Sequence, residues 1–288
     1  MIRASTMASM PASPSTSSLW RRLLLGLLLA IGANPALAEV RALVLSADYV
    51  AALDPDMRLA NPVVDGRQIA AALRKGGVKD LRLAEEAPAE RWQSEFQAFA
   101  NRLGPDDIAL VYYAGHGFQI GGQNYLVTAD GDTLIALDEV MKKLTARAKG
   151  TIMIVDACRE NPLAASANPL EVRSVDAGAS RSIQTIRMTE IERKSKGMAQ
   201  LGDLRGLSAI VLFSTEPGNV ALDGDAGAGS PFAKFAAKEL ARSQSLDSAF
   251  RRIAVAVNKA TGGQQSPWRQ GDLPFDVYLA GMADFPVP

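Results

Sequence analysis

Residues 107–128 read DIALVYYAGHGFQIGGQNYLVT. The first eight residues form an apolar run, which is typical of a strand covered on both faces of a sheet. His116 follows this run between two glycines, and it is the only histidine among the 288 residues. The rest of the stretch predicts a β-hairpin, because Gly121-Gly122 can supply the positive φ angles of a tight turn. The stretch therefore predicts a buried strand with a histidine at its carboxyl end.

A second stretch has the same organisation. Residues 151–158, TIMIVDAC, form another apolar run that ends at Cys158, the only cysteine of the chain. Three more strand patterns lie at residues 40–47, 78–84 and 208–215, and amphipathic helix patterns separate the strands. Parallel strands joined by helices need crossover connections, which are right-handed. The sequence thus predicts an α/β fold of three layers, with helices on both faces of a mostly parallel sheet of about six strands.

The two ends of the chain carry further signals. Residues 1–38 predict a signal peptide with a disordered extension: two arginines precede an apolar core, and Ala36-Leu37-Ala38 fits cleavage before the next residue. The apolar core is short for a membrane span, but an uncleaved anchor is the alternative. We therefore expect export to the periplasm or the exterior, with one domain over residues 39–288. Near the C-terminus, residues 273–280, LPFDVYLA, predict one edge strand.

One long segment lacks a pattern. Residues 160–207 show little periodicity and a scatter of arginines and lysines. This predicts an irregular basic loop within the domain, and loops of such length are usually functional or disordered.

Charge and motifs exclude several classes of function. Lys plus Arg and Asp plus Glu both number 31, so we expect no nucleic-acid partner. There is no C-x-x-C motif for disulfide exchange and no G-x-x-x-x-G-K-[ST] motif for nucleotides. Zinc needs three or four ligands, which one histidine and one cysteine do not supply. Residues 223–230, DGDAGAGS, lack the closing glutamate of a calcium loop and predict a turn. No cofactor or metal is predicted.

His116 and Cys158, taken together, indicate a catalytic site more strongly than either residue does alone. Functional groups collect at the carboxyl ends of the strands in a mostly parallel sheet, and both residues follow such strands. If the two strands are neighbours, an imidazole can activate a thiol for attack on a carbonyl carbon. The backbone N–H groups of Gly117 and Cys158 are the candidate donors to the oxyanion. The alternatives are a structural histidine and a buried, inert cysteine.

At these motifs the sequence resembles the caspase-like cysteine peptidases, which include caspases, metacaspases and bacterial relatives. The resemblance rests on five stretches that occur in the order of the family: ALVLSADY, LANPVVDGRQIAAAL, LVYYAGHGFQIGGQNYLV, IMIVDACREN and VALDGDAGAGSPFAKFAAKEL. It implies a cysteine endopeptidase that acts on proteins or peptides, with His116 and Cys158 as the catalytic residues. The alternative is an inactive caspase-fold module that binds other proteins.

The resemblance also implies a specificity. Asp156, two residues before Cys158, and Asp65 match the positions that form an acidic pocket in metacaspases, which implies cleavage after Arg or Lys. The alternatives are a turn-forming role for Asp156 and a helix-dipole role for Asp65. Arg159-Glu160-Asn161 stands where metacaspases commonly carry His-Ser-Gly.

Two further properties follow from the same resemblance. Family members carry a linker between their larger and smaller segments at the position of the basic loop, which implies self-cleavage within residues 163–206. Solvated linker charge is the alternative. Calcium activation occurs among metacaspases, but the sequence offers no identifiable calcium ligands.

Overall fold

The structure is a computed structural model, and it describes the chain between Glu39 and Leu279 in several stretches. The described residues are 39–120, 123–158, 172–174, 185–188, 204, 206–217, 219 and 221–279. For residues 119–120, 158, 172–174 and 185–188 only the backbone is described. These residues belong to one compact unit, Ala38–Pro288.

The central layer is a six-stranded sheet within the described residues. Five of its strands are parallel, and the sixth is antiparallel at one edge. The order across the sheet is β2-β1-β3-β6-β9-β10. The strands are β1 (Val40–Ser46), β2 (Asp80–Glu85), β3 (Ile108–Ile120), β6 (Gly150–Cys158), β9 (Ala209–Phe213) and β10 (Trp268–Asp272). This confirms the predicted sheet, and long apolar runs form its central strands because both of its faces are covered.

Five α-helices cover the two faces of this sheet in the described part of the chain. They are α1 (Pro62–Lys75), α2 (Ala89–Arg102), α3 (Leu137–Thr145), α4 (Pro231–Leu240) and α5 (Leu246–Ala260). Apolar side chains of α1, α4 and α5 pack with Leu110 and Tyr112 of β3 on one face. Those of α2 and α3 pack with Val111 and Tyr113 on the other. Because successive side chains of a strand point to opposite faces, β3 contributes to both cores, and the three-layer prediction is confirmed.

Strand β3 continues past His116 into a second, antiparallel set of strands. Its order from β3 is β3-β4-β5-β8-β7. The added strands are β4 (Gln123–Val127), β5 (Thr133–Ala136), β7 (Val172–Ser174) and β8 (Thr185–Met188). The hairpin of β3 and β4 is confirmed, while its predicted turn at Gly121-Gly122 lies outside the described residues. Two of these strands, β7 and β8, lie within residues 160–207, which the sequence predicts to be irregular. Each strand has only three or four residues, so it gives no periodic signal in the sequence.

The predicted edge strand near the C-terminus is wrong. The edge strand is β10, Trp268–Asp272, which pairs with β9. In residues 273–279 the alternating apolar side chains instead pack on the core of α1, α4 and α5: Val277 and Leu279 are buried, and Leu273 and Phe275 are partly buried there. The alternation therefore arises from an extended segment with one buried face. In the sequence such a segment looks the same as a strand that pairs with a sheet.

Other predictions fall outside the described residues. The signal peptide of residues 1–38 and most of the 160–207 segment belong to this group. Among the helices that the structure describes, none has the length and apolar character needed to cross a membrane.

Candidate active site

His116 and Cys158 occupy register positions opposite each other on adjacent parallel strands. The Cα of His116 in β3 pairs with the Cα of Cys158 at the end of β6. Neighbouring strands lie about 4.8 Å apart, so the two backbones are as close as a sheet allows. The side chain of Cys158 lies outside the described residues. The structure thus brings the two predicted residues to adjacent backbone positions at the carboxyl edge of the sheet.

The imidazole of His116 has a defined partner and a defined tautomer. It is buried, and its Nε2 donates a hydrogen bond to the carbonyl oxygen of Met57 at 2.8 Å. A carbonyl oxygen only accepts, so the ring proton is on Nε2 and the lone pair is on Nδ1. Burial lowers the pKa of His116 to about 4, and the bond to Met57 only partly opposes this effect. The ring is therefore neutral at neutral pH and can take up a proton at Nδ1.

Met57 lies in the loop that joins β1 to α1. A short 3-10 turn, Pro55–Met57, presents its carbonyl, and Asp54 caps this turn by accepting a hydrogen bond from the N–H of Asp56 at 2.9 Å. The Met57 side chain is buried, which anchors the turn against the protein. The sequence gives no sign of this group, because a backbone carbonyl is present at every residue.

Gly117 follows His116 in β3 and pairs with Leu126 in the antiparallel ladder to β4. The N–H groups of Gly117 and Cys158, predicted as oxyanion donors, thus belong to the two strands that carry the histidine and the cysteine.

A small acidic cleft lies beside these strand ends. Its walls include the carboxylates of Asp65 in α1, Asp156 in β6 and Asp223 in the loop before α4. Ala114 and Gly115, just ahead of His116, also line it. None of the described residues that line this cleft is Lys or Arg, so these residues supply no positive charge to neutralise the carboxylates. The cleft joins the two aspartates that the resemblance singled out, and it adds Asp223.

Ser230 connects two of these carboxylates. Its backbone N–H donates to Oδ1 of Asp65 at 2.8 Å, and its hydroxyl donates to Oδ2 of Asp156 at 3.0 Å. The same hydroxyl oxygen caps α4 by accepting the N–H of Ala233 at 2.9 Å. Tyr112 donates a second hydroxyl hydrogen bond to Oδ2 of Asp156 at 3.0 Å. Ser-Pro at the start of a helix pattern signals a cap, but nothing in the sequence indicates that this cap also binds a carboxylate.

Burial raises the pKa of both Asp65 and Asp156 above the usual range of an aspartate. For Asp65 the next largest cause is the negative charge of Asp156 nearby. Hydrogen bonds from Ser230 oppose the rise at both carboxyls. Burial also raises the pKa of Asp223. Carboxylates in this state favour the arrival of a cation, because a positive charge stabilises the ionised form that burial disfavours.

A fully buried asparagine, Asn61, holds the third aspartate in place. Its side-chain amide donates to the carbonyl of Asp223 at 2.7 Å and to that of Asp225 at 3.0 Å. Its Oδ1 accepts the N–H groups of Gly227 at 2.8 Å and Gly229 at 3.2 Å. The predicted turn at residues 223–230 is thus confirmed, and Asn61 ties it to the start of α1. Among the described residues, no group of three or more His, Cys, Asp or Glu side chains could hold a metal ion.

Comparison with known families identifies this arrangement. A family model described as "Caspase domain" matches residues 40–278. The chain belongs to the caspase family. This is a family of caspase-fold cysteine peptidases, whose substrates are proteins. The match spans both strands that carry His116 and Cys158 and the helices on either side of them.

Solved structures share the same fold. The crystal structure of caspase-1 from Spodoptera frugiperda is similar to this caspase domain with a TM-score of 0.55 and 15% sequence identity. The similarity covers 86% of this chain and 92% of the caspase-1 chain. No curated protein sequence matches the chain significantly.

Proposed function

We propose that the protein is a cysteine endopeptidase that cleaves after Arg or Lys, with Cys158 as the nucleophile and His116 as the base. The observation that carries this proposal is the register pairing of His116 and Cys158 at the carboxyl edge of the sheet. A neutral imidazole with its lone pair on Nδ1, next to the backbone of the only cysteine, is the arrangement that thiol activation requires.

The reaction then proceeds in two halves. His116 takes the thiol proton of Cys158 at Nδ1, and the thiolate sulfur bonds to the scissile carbonyl carbon. The C–N bond breaks as the imidazolium gives this proton to the leaving amine, which leaves a thioester on Cys158. Water attacks the thioester with His116 again accepting a proton, and the acid product leaves as the thiol is restored. Met57 holds Nε2 throughout, so the transferred proton is always at Nδ1.

The oxyanion of each tetrahedral intermediate needs fixed donors. The backbone N–H groups of Gly117 and Cys158 serve in this role, since each lies on one of the two strands that flank the reacting carbonyl in this proposal.

The acidic cleft selects the residue before the scissile bond. Asp65, Asp156 and Asp223 offer up to three negative charges to an arginine or lysine side chain, and the described residues that line the cleft add no positive charge. An acidic side chain would meet repulsion from each carboxylate that is ionised and would gain no positive partner from the described lining residues. Asp223 extends the acidic pair that the sequence suggested.

Peptide hydrolysis by the full chain tests the proposal directly. Fluorogenic peptides that differ only in Arg, Lys, Gln or Asp before the scissile bond are compared, each with calcium and with a chelator. We expect cleavage of the Arg and Lys peptides alone, and none by Cys158→Ala or His116→Ala. Asp223→Asn should raise KM for the Arg peptide with little change in kcat.

Three results would count against the proposal. Undiminished activity of Cys158→Ala rules out the thiol mechanism, and preference for the Asp peptide rules out the acidic pocket. Binding of basic peptides without hydrolysis, by wild type under all conditions, would support the inactive binding module instead. Because the chain has a single cysteine, alkylation with iodoacetamide confirms in each case whether the thiol is free.

We further propose export and self-cleavage, each with its own test. N-terminal sequencing of protein secreted by a bacterial host should begin at Glu39 if residues 1–38 are a signal peptide. On a gel, wild type should show a nick within residues 163–206 that Cys158→Ala lacks. The same nick in Cys158→Ala would exclude self-cleavage.

A further inference from the structure

The main chain of His116 lies beyond the end of its neighbouring strand. Strand β1 pairs with β3 as far as Ser46 opposite Ala114, and the N–H of Ala47 then donates to the carbonyl of Ala114 at 3.1 Å. At His116 the β1 side of the ladder has therefore ended. A backbone N–H buried at this point needs a different partner.

Two buried tyrosine hydroxyls replace the missing strand. The hydroxyl oxygen of Tyr49 accepts the N–H of His116 at 2.6 Å, and the Tyr113 hydroxyl lies 2.6 Å from the His116 carbonyl oxygen, to which it donates. The two hydroxyls also bond to each other at 2.9 Å. Val127 of β4 completes the network: its N–H donates to the Tyr113 hydroxyl at 3.1 Å, and its carbonyl oxygen lies 2.8 Å from the Tyr113 hydroxyl and 3.2 Å from the Tyr49 hydroxyl.

The local backbone is shaped for these contacts. Tyr49 is fully buried yet has a φ of 60°, a left-handed conformation that a residue with a side chain rarely adopts. Gly115 has a φ of 154°, and a Cβ there would lie 2.6 Å from the Tyr49 hydroxyl and 2.8 Å from that of Tyr113. Such strained positions persist where the surrounding structure needs them, and they cluster at functional sites.

One loop supplies two of the contacts that orient the histidine. Tyr49 and Met57 lie in the loop between β1 and α1; Tyr49 binds the main chain of His116 and Met57 binds the ring. Asp48 fixes this loop, since its carboxylate accepts the N–H of Val63 at 2.8 Å and its carbonyl accepts the N–H of Leu59 at 3.0 Å. The Tyr49 ring also lies against the imidazole, with 4.6 Å between ring centroids.

We propose that Tyr49 and Tyr113 are positioning residues, whose paired hydroxyls hold the main chain of His116 so that Met57 takes Nε2 and Nδ1 is left for the nucleophile. The proposal rests on the proposed function for its catalytic meaning. Neither tyrosine touches the reacting atoms in this account. Both hydroxyls act through the backbone of the residue that does.

The test replaces each hydroxyl by hydrogen in the full chain. Tyr49→Phe and Tyr113→Phe keep the buried rings and remove the hydroxyl contacts to His116, together with those that each hydroxyl makes to Val127 and to the other tyrosine. Tyr125→Phe is the matched control, because this tyrosine lies in the same apolar cluster as Tyr49 but its hydroxyl donates to Gln123 at 2.9 Å. Each variant is assayed for kcat and KM on an Arg peptide.

A second readout follows the imidazole itself. The chain has one histidine, so a ¹⁵N-histidine NMR spectrum contains the signals of His116 alone. Its titration gives the imidazole pKa, and its shifts report which ring nitrogen carries the proton.

We expect kcat to fall at least about tenfold in Tyr49→Phe and Tyr113→Phe, with KM within about twofold, which is the pattern of a lost transition-state arrangement. In both variants the imidazole pKa should rise toward its ordinary value, because a loosened ring gains access to water. Tyr125→Phe should match wild type in both readouts.

An unchanged imidazole spectrum in both folded variants overturns the proposal, whether or not kcat changes. If wild type hydrolyses no peptide, the proposed function fails, but the NMR comparison still decides whether the hydroxyls position His116. Thermal unfolding shows which variants are folded. If Tyr49→Phe is not, Tyr113→Phe decides the question alone.

Discussion

The Nε2–H of His116 donates to the carbonyl oxygen of Met57 at 2.8 Å, in a site buried enough to hold the imidazole neutral. This bond fixes the tautomer of the ring and, with it, the nitrogen that can act as a base. It also bears on the resting state of the thiol, because a neutral ring cannot stabilise a thiolate as an imidazolium does.

The free protein should therefore have no thiolate–imidazolium pair. We expect the rate of Cys158 alkylation by iodoacetamide to rise with pH toward a midpoint near that of an ordinary thiol, about 8.5. The alkylation reaction is quenched at a series of times, and mass spectrometry measures the alkylated fraction. Cys158→Ala, which leaves no thiol in the chain, gives the blank. Rapid alkylation that persists down to about pH 5 would show that an ion pair exists.

Ser230 and Ser245 offer a matched pair of helix caps. Each accepts a backbone N–H in the first turn of its helix, but only Ser230 also donates to Asp156. Replacing either by Ala should lower the free energy of unfolding by about 1 kcal/mol. Only Ser230→Ala should raise KM for Arg peptides, because Asp156 loses a hydrogen bond that favours its ionised form. Equal KM values for both variants would show that Ser230 does not contribute to substrate binding.

Gly115 should tolerate no side chain. In Gly115→Ala the new methyl group would meet two tyrosine hydroxyls, whereas Gly262, which also has a positive φ of 61°, has no atom within 4 Å of its Cβ position. We expect Gly262→Ala to cost about 1 kcal/mol of unfolding free energy from backbone strain alone, and Gly115→Ala to cost several times more. Urea unfolding measures both, and similar costs would contradict the proposed crowding.

Asp65 should make stability depend on pH. Its pKa is raised in the folded state by burial and by Asp156, so the folded protein binds more protons than the unfolded chain above about pH 4. The free energy of unfolding contributed by this group therefore falls as pH rises through that window. Asp65→Asn keeps an oxygen for the Ser230 N–H and removes the charge.

Relative to wild type, Asp65→Asn should therefore gain at least about 1 kcal/mol between about pH 5 and about pH 8. Denaturant titrations at both pH values measure this gain. The half-buried Asp247, which pairs with Arg269 on the surface, provides the control, and Asp247→Asn should show no such gain. A pH-independent difference between Asp65→Asn and wild type would mean that Asp65 is ionised in the folded protein at both values.

Much of the fold could be predicted because it depends on patterns within short segments. The apolar runs of β1, β3, β6 and β9 identify strands buried on both faces, and the helical repeats between β1 and β3 and between β3 and β6 predict parallel pairing of these three strands. The strand at the edge of the sheet next to β9 could not be predicted in this way. Residues 273–279 alternate like a strand but pack on the core, whereas β10, with its exposed Arg269 and Gly271, has no apolar alternation at all.

The order of the buried strands along the chain can be read from local sequence patterns, and so can the positions of a single histidine and a single cysteine at the ends of two apolar runs. Both follow from local composition, which sets whether a segment is a covered strand and where it ends. The contacts of Met57, Tyr49 and Tyr113 with His116, and those of Ser230 with Asp65 and Asp156, become visible only in the folded chain. These contacts use backbone atoms and common hydroxyls from distant segments, so their meaning depends on which groups the folded chain brings within hydrogen-bonding distance.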